Sequence, residues 1–365
     1  MRIAFVHEYL NQFGGAERML AELIALYPSA PIYTLIYDEA ATRGLFRGRT
    51  IHTSFLQNLP LSKIRHHFYP ALMPLAMEQF DFRGYDVVLS ISASFAKGVI
   101  TGPGTRHISY CLTPPRFLWD GSQRFARDFG FNFPARAVMA PFISYLRLWD
   151  QNAVARVDEF WTISDFIAGR IKKYYGQPSR RIYPPIDVSK FHLSSSPEGY
   201  YLAVGRLVSY KKFDLVVEAF NRMGKPLKIV GIGPELKKLK ARAKPNIEFL
   251  GAVDDFLLAE LYSRCAALIF PQEEDFGLVP LEAMASGRPV IAYRGGGAAE
   301  TVTRETGMFF DSQTPEALMA AVEQFDPLSV SPAACRSRAE QFSVSVFREK
   351  IREAIRDGGA TASYK

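Results

Sequence analysis

The chain has 365 residues, 48% of them hydrophobic and 22% charged, with a net charge of +7. This composition excludes a disordered or fibrous chain and is long enough for two domains of ordinary size. Cys111, Cys265 and Cys335 are odd in number and far apart, which excludes a disulfide framework or a zinc site and fits a reducing compartment. MRIAFVHEYL is not a signal peptide, and no stretch approaches about 18 uncharged apolar residues, so a cytoplasmic protein is expected.

The N-terminal half opens with a strand, RIAFVHEYL, followed by a helix, GGAERMLAELIALY, that begins at the paired glycines Gly14 and Gly15. PIYTLIY, YDVVLSIS, KGVITG, RHISYCLT and EFWTISD read as further strands. Between them lie two segments rich in aromatic residues, prolines and bases, residues 51–80 and 114–142, with no sustained periodicity. YPPIDVSKFHLSSSPEG, residues 183–199, interrupts the pattern and marks the domain boundary.

The C-terminal half alternates strand and helix clearly. YYLAVG is a strand, KFDLVVEAFNRM a helix, KPLKIVGIG a strand and PELKKLKARA a helix. The alternation continues through NIEFLGAV, DDFLLAELYSRC, CAALIFPQ, VPLEAMASG, RPVIAYRGGG, AAETVT, GMFF and PEALMAAVEQF. Short apolar strands separated by amphipathic helices predict an α/β fold with parallel sheets covered on both faces. The two halves predict two doubly wound domains facing a central cleft lined by the carboxyl ends of their strands, where such sheets bind ligands.

Three motifs fall at those strand ends. In GRLVSYKKFDL, Arg206 lies just past a strand, and Lys211 stands at the entrance of a helix whose free N–H groups also favour anions. In GIGPE, Gly231 lets a backbone or a ligand approach closely. In EEDFGLVPLEAMASG, the amides of Phe276, Gly277 and Leu278 form an anion or hydroxyl cradle, and Pro280 opens the helix behind it. Glu274 and Glu282 project from the same end, where carboxylates can each accept from paired hydroxyls.

GRLVSYKK, GIGPE and the Glu274-to-Glu282 element followed by AMASGRPVIA together resemble the family 4 retaining glycosyltransferases, which have the GT-B fold. VHEYLNQFGGAERML resembles that family's first strand, glycine loop and helix, and YYGQPSRRIYPPID the segment before its linker. PGTRHISYCLTPPRFLWD resembles a branch containing bacterial mannosyltransferases of surface polysaccharide and lipopolysaccharide assembly. The resemblance implies an acceptor-binding domain over 1–185, a linker over 186–199 and a nucleotide-sugar-binding domain over 200–340. It also implies a helix over 341–357 returning toward the N-terminal domain and a flexible tail over 358–365.

Carried over by position, the resemblance makes Glu274, Arg206 and Lys211 the catalytic set. Arg206 and Lys211 would neutralise the donor diphosphate, Glu274 would bind the transferred sugar and Glu282 the ribose. Phe276, Gly277 and Leu278 would hold sugar and phosphate through their amides. Gly14 and Gly15 would let the first helix of the N-terminal domain approach the diphosphate from across the cleft, Gly231 would contact the donor, and the base would lie near Gly251 and Val253. Negative charge grows on the diphosphate as the sugar–phosphate bond breaks, so preorganised cations stabilise the transition state more than the ground state. A metal would be redundant, and no two aspartates in this chain are separated by a single residue, so the Asp-x-Asp metal motif is absent. No cofactor is expected beyond the sugar-nucleotide co-substrate, GDP-mannose by analogy with the branch. A UDP-sugar transferase and a noncatalytic sugar-nucleotide-binding protein are the alternatives.

The sequence departs from the family at two places. Leu112 stands where many relatives have a histidine facing the donor sugar, and Ile163 where relatives often have asparagine. His107, five residues before Leu112, and Arg116, beside Pro115 and Phe117, are the candidate acceptor contacts. Residues 1–190 hold 22 Lys and Arg against 15 Asp and Glu, a net of +7, so the remaining residues hold 22 against 22. With the run SKIRHHFYPALMPLAMEQF, that excess suits a glycan or polyprenyl-diphosphate-linked acceptor presented at an anionic membrane. Nucleic acid is not an expected partner, because carboxylates at the donor cations would repel a phosphate backbone. A phosphorylase lacks its cofactor-lysine motif, and an epimerase does not account for the basic half.

Overall fold

The computed structural model describes residues 1–120, 133–194 and 197–361. Residues 121–132 of the aromatic and basic segment 114–142, residues 195–196 of the linker and the last four residues of the tail lie outside the described residues. The chain divides into two units, Met1–Tyr183 and Pro184–Lys365.

Among the described residues the N-terminal unit carries seven parallel strands, β1 (Ile3–Leu10), β2 (Ile32–Tyr37), β3 (Ile51–Thr53), β4 (Val87–Ser92), β5 (Arg106–Cys111), β6 (Glu159–Thr162) and β7 (Arg180–Arg181), in the order β3-β2-β1-β4-β5-β6-β7. The described residues of the C-terminal unit carry six, β8 (Tyr201–Val204), β9 (Leu227–Val230), β10 (Ile247–Gly251), β11 (Ala267–Phe270), β12 (Val290–Tyr293) and β13 (Gly307–Phe310), in the order β10-β9-β8-β11-β12-β13. All pairings are parallel. This is the doubly wound topology expected in each half. Strand order reverses between β1 and β4 in one sheet and between β8 and β11 in the other, which are the positions where such sheets bind ligands.

The central strands are buried along their whole length, as strands covered on both faces must be; β4 and β11 expose no residue. Helices cover them through one apolar stripe each, Phe213, Leu215, Val216, Val217, Ala219 and Phe220 in the helix Phe213–Met223 being an example. Local signals fix the helix ends. Ser164, Asp254 and Thr314 each accept a backbone N–H at a helix start, and Gly176 and Gly224 close helices in the left-handed conformation.

Two expectations for the N-terminal unit change. KGVITG is not a strand: Ala96–Gly98 is a 3-10 turn, and a Cβ on Gly98 would lie 2.3 Å from the Trp149 ring. Lys97 is instead a core residue, 1% exposed, paired with fully buried Asp150. Asp150 also accepts from Trp119 Nε1 at 2.8 Å and Tyr175 Oη at 3.0 Å, and Lys97 Nζ donates to the Ser94 carbonyl at 2.7 Å. A buried ion pair is tolerable only with its remaining hydrogen-bond capacity filled in this way. Segment 51–80, which shows no sustained periodicity in the sequence, contributes the short edge strand β3.

His107 is the second change. It lies near the amino end of β5 with no exposed surface, away from the strand ends where the acceptor was expected. Its Nε2 is 3.0 Å from Ser90 Oγ and its Nδ1 3.2 Å from the Arg156 carbonyl, so both ring nitrogens are occupied within the fold. Burial pushes its pKa down to about 4, and burial does the same to His7. A histidine held neutral in the fold but free to protonate at about 6.5 when unfolded stabilises fully above that pH, and its contribution is lost as pH falls toward 4. Each ring accounts for at most about 3 kcal/mol of this loss. Urea midpoints should therefore fall between pH 7.5 and pH 4.5, and H107Q should flatten part of the slope; equal pH dependence in wild type and variant would contradict a neutral buried ring.

Candidate functional site

The motifs of the C-terminal unit assemble along the carboxyl edge of its sheet. Gly205 and Arg206 follow β8, Gly231 follows β9, Val253 lies just past β10, and Glu274, Phe276 and Gly277 follow β11. The centre is the reversal point between β8 and β11, where Lys211 Nζ lies 2.6 Å from Glu274 Oε1. Both side chains are largely covered, at 13% and 21% exposure, so their attraction is stronger than that of a surface pair. Arg206 is exposed. Lys212, next to Lys211, has φ 58 and starts the helix Phe213–Met223 from a left-handed conformation that non-glycine residues rarely adopt.

Behind Glu274 the chain turns at Gly277, with φ 85, into the helix Leu278–Ala285, which has no side-chain cap. Pro280 lies in its first turn and removes one N–H that would lack an intrahelical partner. The uncapped start gives the local positive potential that a phosphate or a sugar hydroxyl needs. Glu282 lies in this helix, and its Oε2 accepts from Tyr262 Oη at 2.8 Å. Tyr262 is fully buried in the helix Asp255–Arg264, so it fixes one oxygen of Glu282 while a carboxylate retains further acceptor positions.

Glycines lock these loops together. A Cβ on Gly231 would lie 1.9 Å from the Gly205 carbonyl oxygen, and one on Gly233 2.3 Å from that of Leu207. The partner that approaches Gly231 is thus the β8 loop itself, which positions Arg206. After β12, the Gly297 N–H donates to the Glu274 carbonyl at 2.9 Å, and a Cβ on Gly296 would lie 2.2 Å from that oxygen. In the sequence this glycine run reads only as the end of a strand, although three successive glycines at a strand end are a signal of close backbone contact. Two further residues lie at the site without a signal in the sequence: Tyr262, and Gln272, 1% exposed, whose Nε2 lies 3.5 Å from Glu274 Oε1 and whose Oε1 has no hydrogen-bond partner among the described residues. Neither carries a motif.

In the N-terminal unit the expected residues also sit at strand ends, His107 excepted. Gly14 precedes the helix Gly15–Leu26 after β1, and a Cβ there would lie 3.1 Å from Glu17 Oε2. Glu17 is fully buried and its pKa is raised by that burial, so a carboxyl group lies against the glycine loop. Leu112 follows β5, its N–H donating to the Ser92 carbonyl at 2.8 Å, and Ile163 is buried after β6. Arg116 begins the short helix Arg116–Trp119, which Trp119 ties to Asp150. Among the described residues no group of three or more His, Cys, Asp or Glu side chains is placed to hold a metal ion.

Residues 187–342 match the family model described as Glycosyl transferases group 1. That finding corrects the number read from the motifs: the matching model is group 1, not family 4, and the relatives are too varied to sustain kinship with one branch of bacterial mannosyltransferases. Over 161 residues the chain is 27% identical to an uncharacterised glycosyltransferase of Methanocaldococcus jannaschii, covering 43% of this chain and 46% of that one. The chain spans less than half the length of the first curated relatives it matches. Over 346 residues it is 26% identical to a GDP-mannose-dependent alpha-mannosyltransferase of Mycobacterium tuberculosis, covering 89% of each. Its fold is similar to that of Anabaena HepE, solved in complex with UDP, with a TM-score of 0.71 over 98% of this chain and 100% of that one at 16% identity. The chain has the GT-B architecture, two α/β domains each built on a parallel sheet.

Proposed function

We propose that the chain is a glycosyltransferase that moves a hexose from a nucleoside-diphosphate sugar to a glycan or polyprenyl-diphosphate-linked acceptor. The observation that carries this reading is the Lys211–Glu274 pair at the β8–β11 reversal, beside the uncapped start of the helix Leu278–Ala285. A cation, a carboxylate and a helix N-terminus in one place match the three needs of such a donor: charge neutralisation for the diphosphate, acceptors for hydroxyls and amides for oxygens.

In this reading Lys211 and Arg206 take up the charge that appears on the diphosphate as the bond to the sugar breaks. Lys211 carries three N–H donors, so it can bind a phosphate oxygen and keep Glu274. Glu274 accepts from the sugar hydroxyls and Glu282, held by Tyr262, from the ribose. Retention follows if the acceptor attacks from the face that the diphosphate leaves, with a phosphate oxygen taking its proton. The cations meet the diphosphate charge directly, so the reaction proceeds without a metal.

A UDP-sugar is the donor we favour, because structural neighbours of this fold were solved with UDP and with UDP-glucose. GDP-mannose is the second reading, supported by the relative matched along 89% of the chain. Melting curves with UDP, GDP, ADP and their sugar nucleotides, with and without EDTA, separate the two. Ligand at about 100 times its dissociation constant stabilises the fold by about 2.7 kcal/mol. A shift with uridine nucleotides alone supports the first reading, a shift with guanosine nucleotides alone the second, and no shift with any of them overturns both.

Three variants test the roles. K211M should lower kcat by about 10²- to 10³-fold, the usual effect of removing one donor from a developing negative charge, with a smaller effect on nucleotide affinity. E282Q should weaken nucleotide binding by about 1.5–3 kcal/mol for each hydrogen bond lost to the charged group. Y262F should cost less, about 0.5–1.5 kcal/mol, because Glu282 stays in place but is less well oriented. Titration calorimetry that finds unchanged affinity in E282Q refutes the ribose role.

A further inference from the structure

We propose that residues 61–75 dock the N-terminal domain on an anionic phospholipid surface. This goes beyond sugar transfer and does not depend on it. Leu61 is 60% exposed, Ile64 76%, Phe68 60% and Leu75 49%, whereas Met73, Ala76 and Met77 of the same run are buried. The fold had core positions available in this segment and filled them with other side chains. Large apolar groups clustered on a surface mark an interaction site when bases accompany them, and Lys63 and Arg65 are exposed between Leu61 and Phe68.

The charge pattern selects the occupant. Residues 40–77 contain Arg43, Arg47, Arg49, Lys63 and Arg65 and no Asp or Glu. All five bases are exposed. A second copy of the chain seated here would bring like charges together, and nucleic acid offers nothing to Leu61, Ile64 or Leu75. A bilayer rich in anionic lipid offers both an acyl boundary and negative headgroups.

The segment is held rather than loose. Asn11 Nδ2 donates to the Lys63 carbonyl at 2.8 Å, the Tyr9 ring stacks on His66 with centroids 4.3 Å apart, and Tyr9 Oη lies 2.9 Å from Met73 Sδ. Tyr9 belongs to β1 and Asn11 follows it, so the surface is fixed to the carboxyl end of the central strand. Leu61 itself has φ 56, a left-handed conformation costly for a branched side chain, kept at a position where its side chain points largely into solvent. On a membrane, a lipid-linked substrate would be reached within the plane of the interface.

Cosedimentation with vesicles of phosphatidylcholine and phosphatidylglycerol, or of phosphatidylcholine alone, tests the proposal at low and high salt. The full chain should bind the anionic vesicles at low salt, less at high salt, and much less to phosphatidylcholine. The variant K63A/R65A should bind about thirtyfold more weakly, from the usual worth of a base near an anionic surface. The variant I64S/F68S should lose about tenfold or more through apolar burial. Both alter exposed side chains and should keep the wild-type melting temperature and nucleotide response, so a loss of vesicle binding is read separately from folding and from donor binding. No cosedimentation at low salt overturns the proposal, and so does full binding by both variants. Sedimentation velocity showing self-association that I64S/F68S abolishes, with vesicle binding unchanged, overturns it in favour of a contact between copies.

Discussion

The placement of Glu274 depends on backbone lying directly against backbone. A methyl group on Gly297 would lie 2.3 Å from the Cα of Phe276, and one on Gly296 2.2 Å from the Glu274 carbonyl oxygen. Contacts this close leave the turn after β11 no room to shift, and the Gly297 N–H fixes it in register. The loop after β9 seats the loop after β8 in the same manner through Gly231 and Gly233. The four neighbouring strand ends are therefore interlocked by main chain in two pairs, which the Lys211–Glu274 side-chain pair joins, and the carboxylate, the cations and the helix start are set before any ligand arrives. Preorganisation of this kind allows a polar site to act without reorganising during a reaction.

Charge balance imposes the second constraint. A lysine or a glutamate that is largely covered and unpaired is costly, and the Lys211–Glu274 pair satisfies each with the other. The pair also presents unlike groups at one place, so an anionic diphosphate and neutral hydroxyls can be bound side by side. Glu282 is also held by the buried phenol of Tyr262, whose Oη donates to its Oε2 at 2.8 Å.

Much of the C-terminal unit was legible because each strand and helix carries its own period and its own ending. Lys211 and Glu274 could be named from motifs, but their contact could not, since it depends on β8 and β11 being neighbours across the reversal. Gly295 to Gly297 read only as the end of a strand, since three glycines do not say which backbone comes close to them. The N-terminal unit was harder to read because its stability rests on buried polar groups. KGVITG looks like a strand until Lys97 is seen paired with Asp150, and His107 looks like a ligand contact until Ser90 and the Arg156 carbonyl are seen at its two nitrogens. A sequence lists such groups without saying which of them are satisfied by one another.

The strand ends at the two reversal points are satisfied in different ways. Between β1 and β4, the Glu8 carboxylate is buried and accepts the backbone N–H groups of Ala93, Ser94, Phe95 and Ala96, so the turn is filled by the protein's own anion. Burial pushes the pKa of Glu8 up, and those amides together with Lys97 oppose the shift. The Lys97–Asp150 network then ties this turn to the helices Phe133–Val154 and Asp165–Tyr175. Between β8 and β11, the helix start after β11 has no side-chain cap, and the helix Gly15–Leu26 after β1 starts without one as well. The turn after β4 is satisfied within the fold, whereas the two uncapped helix starts favour an external anion. On the proposed function, the C-terminal unit would take the donor at the helix start after β11, and the N-terminal unit would offer the helix start after β1, Arg116 and the exposed apolar and basic run after β3.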